Sequence, residues 1–123
     1  NFDDFCLLAG QRQFEIESAI ISAIKKDFNV NIRTTSSLSI KDIYNICCEA
    51  KFYVGNDTGF SHIAVSLKKP ALIIHGDCPP YKYSSYINAV IPTNNIFNNT
   101  SIQKISYVQV SQELKKFVKK YQL

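Results

Sequence analysis

The chain contains no methionine, even at its first position, and in 123 residues it has only four glycines, four prolines, four cysteines and two histidines. Without an initiator, the sequence is expected to be a fragment or a processed piece of a longer protein. No apolar run approaches the roughly 20 residues of a membrane-spanning helix, and no secretory leader is visible. Cys6, Cys47, Cys48 and Cys78 have neither CxxC nor disulfide-scaffold spacing. They are expected to be reduced, mostly packed thiols of a cytoplasmic protein, and not zinc ligands. Charge is also modest, at 20% charged residues and a net +4, so composition alone does not single out a polyanionic partner.

What is present suits one domain with a sizeable core, since 46% of the residues are hydrophobic. Asp4 to Ala9 is a short apolar run ending at Gly10, typical of a strand buried on both faces. Between Gln13 and Phe28, Phe14, Ile16, Ala19, Ile20, Ala23, Ile24 and Phe28 recur at helical spacing, with Glu17, Lys25 and Lys26 on the other side. Val30 to Arg33 reads as a second strand. A helix capped by Ser37 or Ser39 follows, with Ile40, Ile43, Tyr44, Ile46 and Cys47 on one face. Lys51 to Val54, Phe60 to Leu67 and Ala71 to His75 continue as strand, helix and strand. Alternation at this pitch predicts βαβ units and a parallel, Rossmann-like sheet with flanking helices. Beyond Gly76 come a loop, CPPYKYSSY, a strand over residues 87 to 91, an Asn-rich loop over 94 to 101 and an amphipathic helix from Val110 to Tyr121.

The densest chemistry lies in GNDTG, residues 55 to 59, at the carboxyl end of a predicted strand and the start of a predicted helix. Ligands of open α/β sheets sit at such ends. The first amides of the helix lack internal partners and point outward with the positive end of the dipole, so they can receive an anion. Gly59 leaves room for a phosphate, Thr58 adds a hydroxyl, and His62 lies one turn along with its side chain leaning back toward the helix start. Asp57 or Thr58 can equally be plain N-caps, and His62 an ordinary interior residue. The arrangement is echoed by His75-Gly76-Asp77 at the next strand end, and local physics alone supports an anion or phosphate site.

The stretch GNDTGFSHIAVSLKKPALIIHGDCPP, residues 55 to 80, resembles the signature of glycosyltransferase family nine, the lipopolysaccharide heptosyltransferases. CLLAGQRQFEIESAI and SSLSIKDIYNICCEAKFYVG are similar to the family's preceding elements, so the resemblance covers roughly residues 4 to 80. It implies the carboxyl-terminal, donor-binding half of a GT-B enzyme. Residues 1 to 123 would then be a single Rossmann-like nucleotide-sugar-binding domain, without the acceptor domain and the first βα unit. Asp57, Thr58, Gly59 and His62 match the positions that hold the donor's diphosphate and sugar, and Gly10, Arg12 and Gln13 are candidate nucleotide contacts. The family's usual Glu after the first glycine is replaced by Gln11, Arg12 and Gln13. Transfer would be inverting and metal-independent, with a nucleotide-diphosphate sugar (ADP-heptose-like) as donor, no further cofactor, and a lipid-linked saccharide acceptor bound by the absent domain. The catalytic base would lie upstream, leaving the isolated chain inactive.

Other readings are weaker on the residues. Asp57, His62, His75, Asp77 and Cys78 lack the spacing of a metal site, and Ser61 has no GxSxG elbow. Tyr81, Lys82, Tyr83 and Tyr86 interleave aromatic and basic groups but are better read as a cleft-shaping loop than as a nucleic-acid platform. Four of the fourteen basic residues, Lys115, Lys116, Lys119 and Lys120, fall in the last nine positions. They form a solvated helix face, with peripheral contact at the inner face of the inner membrane as the functional alternative. A non-catalytic phosphate-binding module and another GT-B enzyme, such as a nucleotide-sugar epimerase, are the competing functions.

Overall fold

The computed structural model describes residues 4–10, 13–28 and 30–123, which form two compact units, Asn1–Ile46 and Cys47–Leu123. In the first unit β1 (Asp4–Leu7) pairs in parallel with β2 (Asn31–Thr34), Phe5 lying opposite Ile32. Helix α1 (Phe14–Asp27) connects them, and α2 (Ile40–Glu49) follows, its last three residues counted with the second unit. Of the two candidate caps for α2, Ser39 serves. The Asp42 amide donates to Ser39 Oγ and the Ser39 amide donates to the Asp42 carboxylate, both at 3.2 Å. This reciprocal box needs an acceptor three residues after the cap, which Asp42 supplies for Ser39 and Ile40 cannot supply for Ser37.

Thr35, only 1% exposed, ties this unit together. Its hydroxyl accepts from the Ala9 amide at 3.1 Å and donates to the Leu7 carbonyl at 3.3 Å, while its amide donates to Glu17 Oε1 at 3.3 Å. Glu17 is therefore the buried residue of α1, at 4% exposure, whereas Phe14 and Ile16 are more than half exposed. Helical periodicity predicts the reverse. A backbone amide has recruited the carboxylate inward, and two four-residue strands offer little surface to cover a helix of fourteen residues.

The second unit holds β3 (Tyr53–Asn56), α3 (Gly59–Ser66), β4 (Ala71–Ile74), β5 (Ile87–Val90), a 3-10 turn (Ser101–Lys104) and α4 (Tyr107–Tyr121). The strands form one parallel sheet in the order β3-β4-β5. Central β4 is buried on both faces and shows the two-residue period of a strand. Ala71 and Ile73 pack with Val65 of α3, Tyr53 and Ile87. Leu72 packs with Val90 and with Phe117 of α4, joined by Phe52, Ile74 and Leu114. The parallel strands and flanking helices make this a mixed α/β chain, as the alternating sequence pattern predicts.

Two details depart from the sequence reading. Helix α4 begins at Tyr107, three residues before the predicted start, because Ser106 Oγ accepts from the Gln109 amide at 3.1 Å and caps it there. The Asn-rich loop contains the 3-10 turn, braced by Asn98 Oδ1, which accepts from the Thr100 amide and hydroxyl and from Ser101 Oγ. This turn lies against Gly76 so closely that an added Cβ there would come within 2.5 Å of Ile102 Cβ.

Candidate functional site

Asn56 pairs with Ile74 at the ends of β3 and β4, so Asp57 and His75 leave the sheet as neighbours. The Asp57 amide stays in register by donating to the Ile74 carbonyl at 3.2 Å. Its carboxylate then lies at the centre of a cluster. Oδ1 is 3.4 Å from His62 Nε2, while Oδ2 is 3.5 Å from His75 Nδ1 and accepts from Cys78 Sγ at 3.5 Å. The two imidazole contacts are long and a thiol is a weak donor, which leaves the carboxylate with weak, exchangeable partners.

Thr58 is the N-cap of α3, in extended conformation. Its amide donates to Ser61 Oγ at 3.3 Å, and that fully buried hydroxyl donates back to the Thr58 carbonyl at 2.7 Å. Ser61 thus satisfies one orphan amide. Those of Gly59 and Phe60 have no hydrogen-bond partner among the described residues. A Cβ built on Gly59 would meet nothing within 4 Å, so the surface beside the first residue of α3 is uncrowded. The helix start therefore presents two unbonded amides at the positive end of the helix dipole, the kind of seat an anion takes.

His62 is half exposed beside that seat. Its Nδ1 lies 2.8 Å from the Tyr83 hydroxyl, and its ring stacks on Tyr83 at 6.0 Å and 19°. Tyr81 meets His62 edge-on at 5.2 Å and His75 at 6.1 Å. His75 is fully buried, and neither ring nitrogen makes a hydrogen bond among the described residues. Burial pushes its pKa below the ordinary histidine value, outweighing the pull of Asp57, so the ring is neutral at neutral pH.

Asp57, Thr58, Gly59 and His62, singled out in the sequence, meet in this corner. Gly10 and Gln13 belong to the other unit. There the Gly10 amide donates to Gln13 Oε1 at 3.1 Å and the Gln13 amide donates to the Gly10 carbonyl at 3.0 Å, closing the turn into α1. Arg12, with Gln11, lies outside the described residues. The sequence reading set His75 and Cys78 beside Asp57 only as a metal set it found weak, and Tyr81 and Tyr83 only as a cleft-shaping loop, without their contacts to His62. The signal was present for His75: parallel strands of equal length put residues that follow them side by side. Cys78 and the tyrosines arrive on the crossover from β4 to β5, whose path no local pattern specifies. Among the described residues no group of His, Cys, Asp and Glu is arranged to hold a metal, and no helix is long and apolar enough to cross a membrane.

Residues 4–115 match the model of glycosyltransferase family 9 (heptosyltransferase). A curated protein, lipopolysaccharide heptosyltransferase 1 of Campylobacter coli, is 29% identical over 90 residues, which are 72% of this chain. The matched region is 25% of that relative's length, so this chain spans about a quarter of it. No solved structure matches the chain. The family match extends past the signature through β5 and most of α4, and on that basis the chain belongs to glycosyltransferase family 9, the heptosyltransferases.

Proposed function

We propose that this chain supplies the donor-binding corner of a heptosyltransferase-like glycosyltransferase, which takes an ADP-heptose-like nucleotide-diphosphate sugar and passes the sugar to a lipopolysaccharide or other surface-glycan acceptor. The observation that carries this reading is the start of α3, where the unbonded amides of Gly59 and Phe60 adjoin the Asp57 and His62 pair. The amides and a His62 N–H take up charge that develops on the leaving diphosphate, which is electrostatic stabilisation of a leaving group. The Asp57 carboxylate accepts hydrogen bonds from sugar hydroxyls and exchanges its weak contacts to His62 and Cys78 for them. Transfer is metal-independent and inverting on this reading. The base and the acceptor site belong to parts of the enzyme outside residues 1 to 123.

The exposed lysines of α4 (Lys115, Lys116, Lys119 and Lys120) support a cytoplasmic enzyme that approaches anionic lipid at the inner face of the inner membrane, where a lipid-linked acceptor resides. Titration calorimetry of the full-length protein with ADP and with ADP-heptose tests the donor assignment. Both are expected to bind, and Asp57→Ala is expected to weaken ADP-heptose binding at least tenfold, as loss of charged hydrogen bonds of about 1.5–3 kcal/mol requires. Absence of binding, or binding indifferent to Asp57→Ala, rules the assignment out.

A further inference from the structure

We propose that Tyr83 is a positioning residue for His62: its hydroxyl, 2.8 Å from Nδ1, holds the imidazole so that the Nε2 proton is the one presented to the donor's diphosphate. This rests on the reading of the corner as a diphosphate seat and adds a role for the β4–β5 crossover.

Both ring nitrogens of His62 are engaged, but unequally. A carboxylate oxygen can only accept, so in the neutral imidazole the Nε2 facing Asp57 is the nitrogen that carries the ring proton, and Nδ1 is the one that can accept. Tyr83 is the complementary donor. Partial desolvation of its hydroxyl, and then the Asp57 charge, push its phenol pKa up, so the hydroxyl keeps its proton. The Nε2–Asp57 contact is 3.4 Å, at the edge of hydrogen-bonding range, whereas the Nδ1–Tyr83 contact is of ordinary length. When an anion enters before the Gly59 and Phe60 amides, the longer contact yields first. Nε2–H transfers from Asp57 to the anion, while Tyr83 keeps the ring from turning.

The surrounding geometry supports a holding role. Tyr83 lies against the His62 ring at 19° and Tyr81 meets it at 62°, and the two tyrosine rings are themselves 6.0 Å apart, so one aromatic cluster restricts rotation about χ2. Both tyrosines sit on the segment that returns from the end of β4 to the start of β5, a crossover that parallel pairing makes obligatory. Pro79 and Pro80 stiffen that segment just before the pair. Tyr83 is 59% exposed and Tyr81 43% exposed, so core packing alone does not explain their place over the histidine.

The test uses the full-length protein with isotope-labelled histidine, the His62 signals being assigned by their loss in His62→Gln. In Tyr83→Phe the stacked ring remains and the hydroxyl is gone. The Nδ1 resonance of His62 is expected to move downfield as it loses its hydrogen bond, and ADP affinity is expected to fall about three- to tenfold, the range of one hydrogen bond. An unchanged Nδ1 resonance overturns the contact. A shifted resonance with unchanged ADP affinity overturns the positioning role. Failure of the unsubstituted protein to bind ADP is a separate result that removes the diphosphate seat itself, and the resonance arm then still reads the Tyr83 contact.

Discussion

His75 is a buried imidazole with two unbonded nitrogens, and its neutrality has a thermodynamic consequence. The unfolded chain takes up a proton at this histidine near its ordinary value of 6.5, while in the folded state burial, opposed only in part by Asp57, holds the value lower. Between those two values the unfolded state binds more protons, so stability rises with pH there and is lost as pH falls below about 6.5. Urea midpoints from about pH 7.5 to about pH 5 are expected to decline on acidification, and His75→Gln is expected to flatten that decline. An equal slope in the variant assigns the effect elsewhere. At this scale the sequence disclosed Asp57, Thr58, Gly59 and His62 because they share one strand end and one helix turn. It marked Tyr83 as part of a cleft-shaping loop but not its contact with His62, which is 21 residues away and depends on the course of that loop.

Elements were easier to read than contacts, for a physical reason. Strand β4 is apolar at every position because both its faces are covered, and α4 carries a clear stripe ending on Phe117 and Tyr121. Helix α1 was harder: one backbone amide at Thr35 draws Glu17 inward, and such a bond leaves no mark on the apolar spacing. Two glycines at element ends show how similar residues serve opposite purposes. Gly59 opens α3 with free space at its Cβ position, and Gly76 follows β4 with Ile102 against it. Gly59→Ala should fold with stability raised by about 0.4–1 kcal/mol, since its φ is not in the left-handed region, yet should weaken ADP binding by filling the seat. Gly76→Ala should destabilise by about 1–3 kcal/mol through overpacking. Thermal melts together with ADP titration of the two variants separate these effects. A Gly59→Ala protein that binds ADP normally would mean that the ligand does not approach there.

Across the whole chain, alternation of strands and helices was enough to predict parallel pairing, and the family match accounts for 4–115. Within the second unit the central strand has a place that bears on time as well as energy. The His75 amide donates to the Val90 carbonyl at 2.9 Å and the Asp57 amide to Ile74, so both belong to the ladder that β4 anchors between α3 and α4. Amides in such positions exchange with solvent only when the surrounding unit opens. Those of Lys82 and Tyr83, exposed on the crossover, need no such opening. Hydrogen-exchange measurements should therefore find slow protons at Asp57 and His75 and fast ones at Lys82 and Tyr83. The corner is then built of two parts that exchange on different clocks: a floor whose protons last as long as the fold, and an aromatic wall whose backbone protons are renewed many times while that floor stays closed.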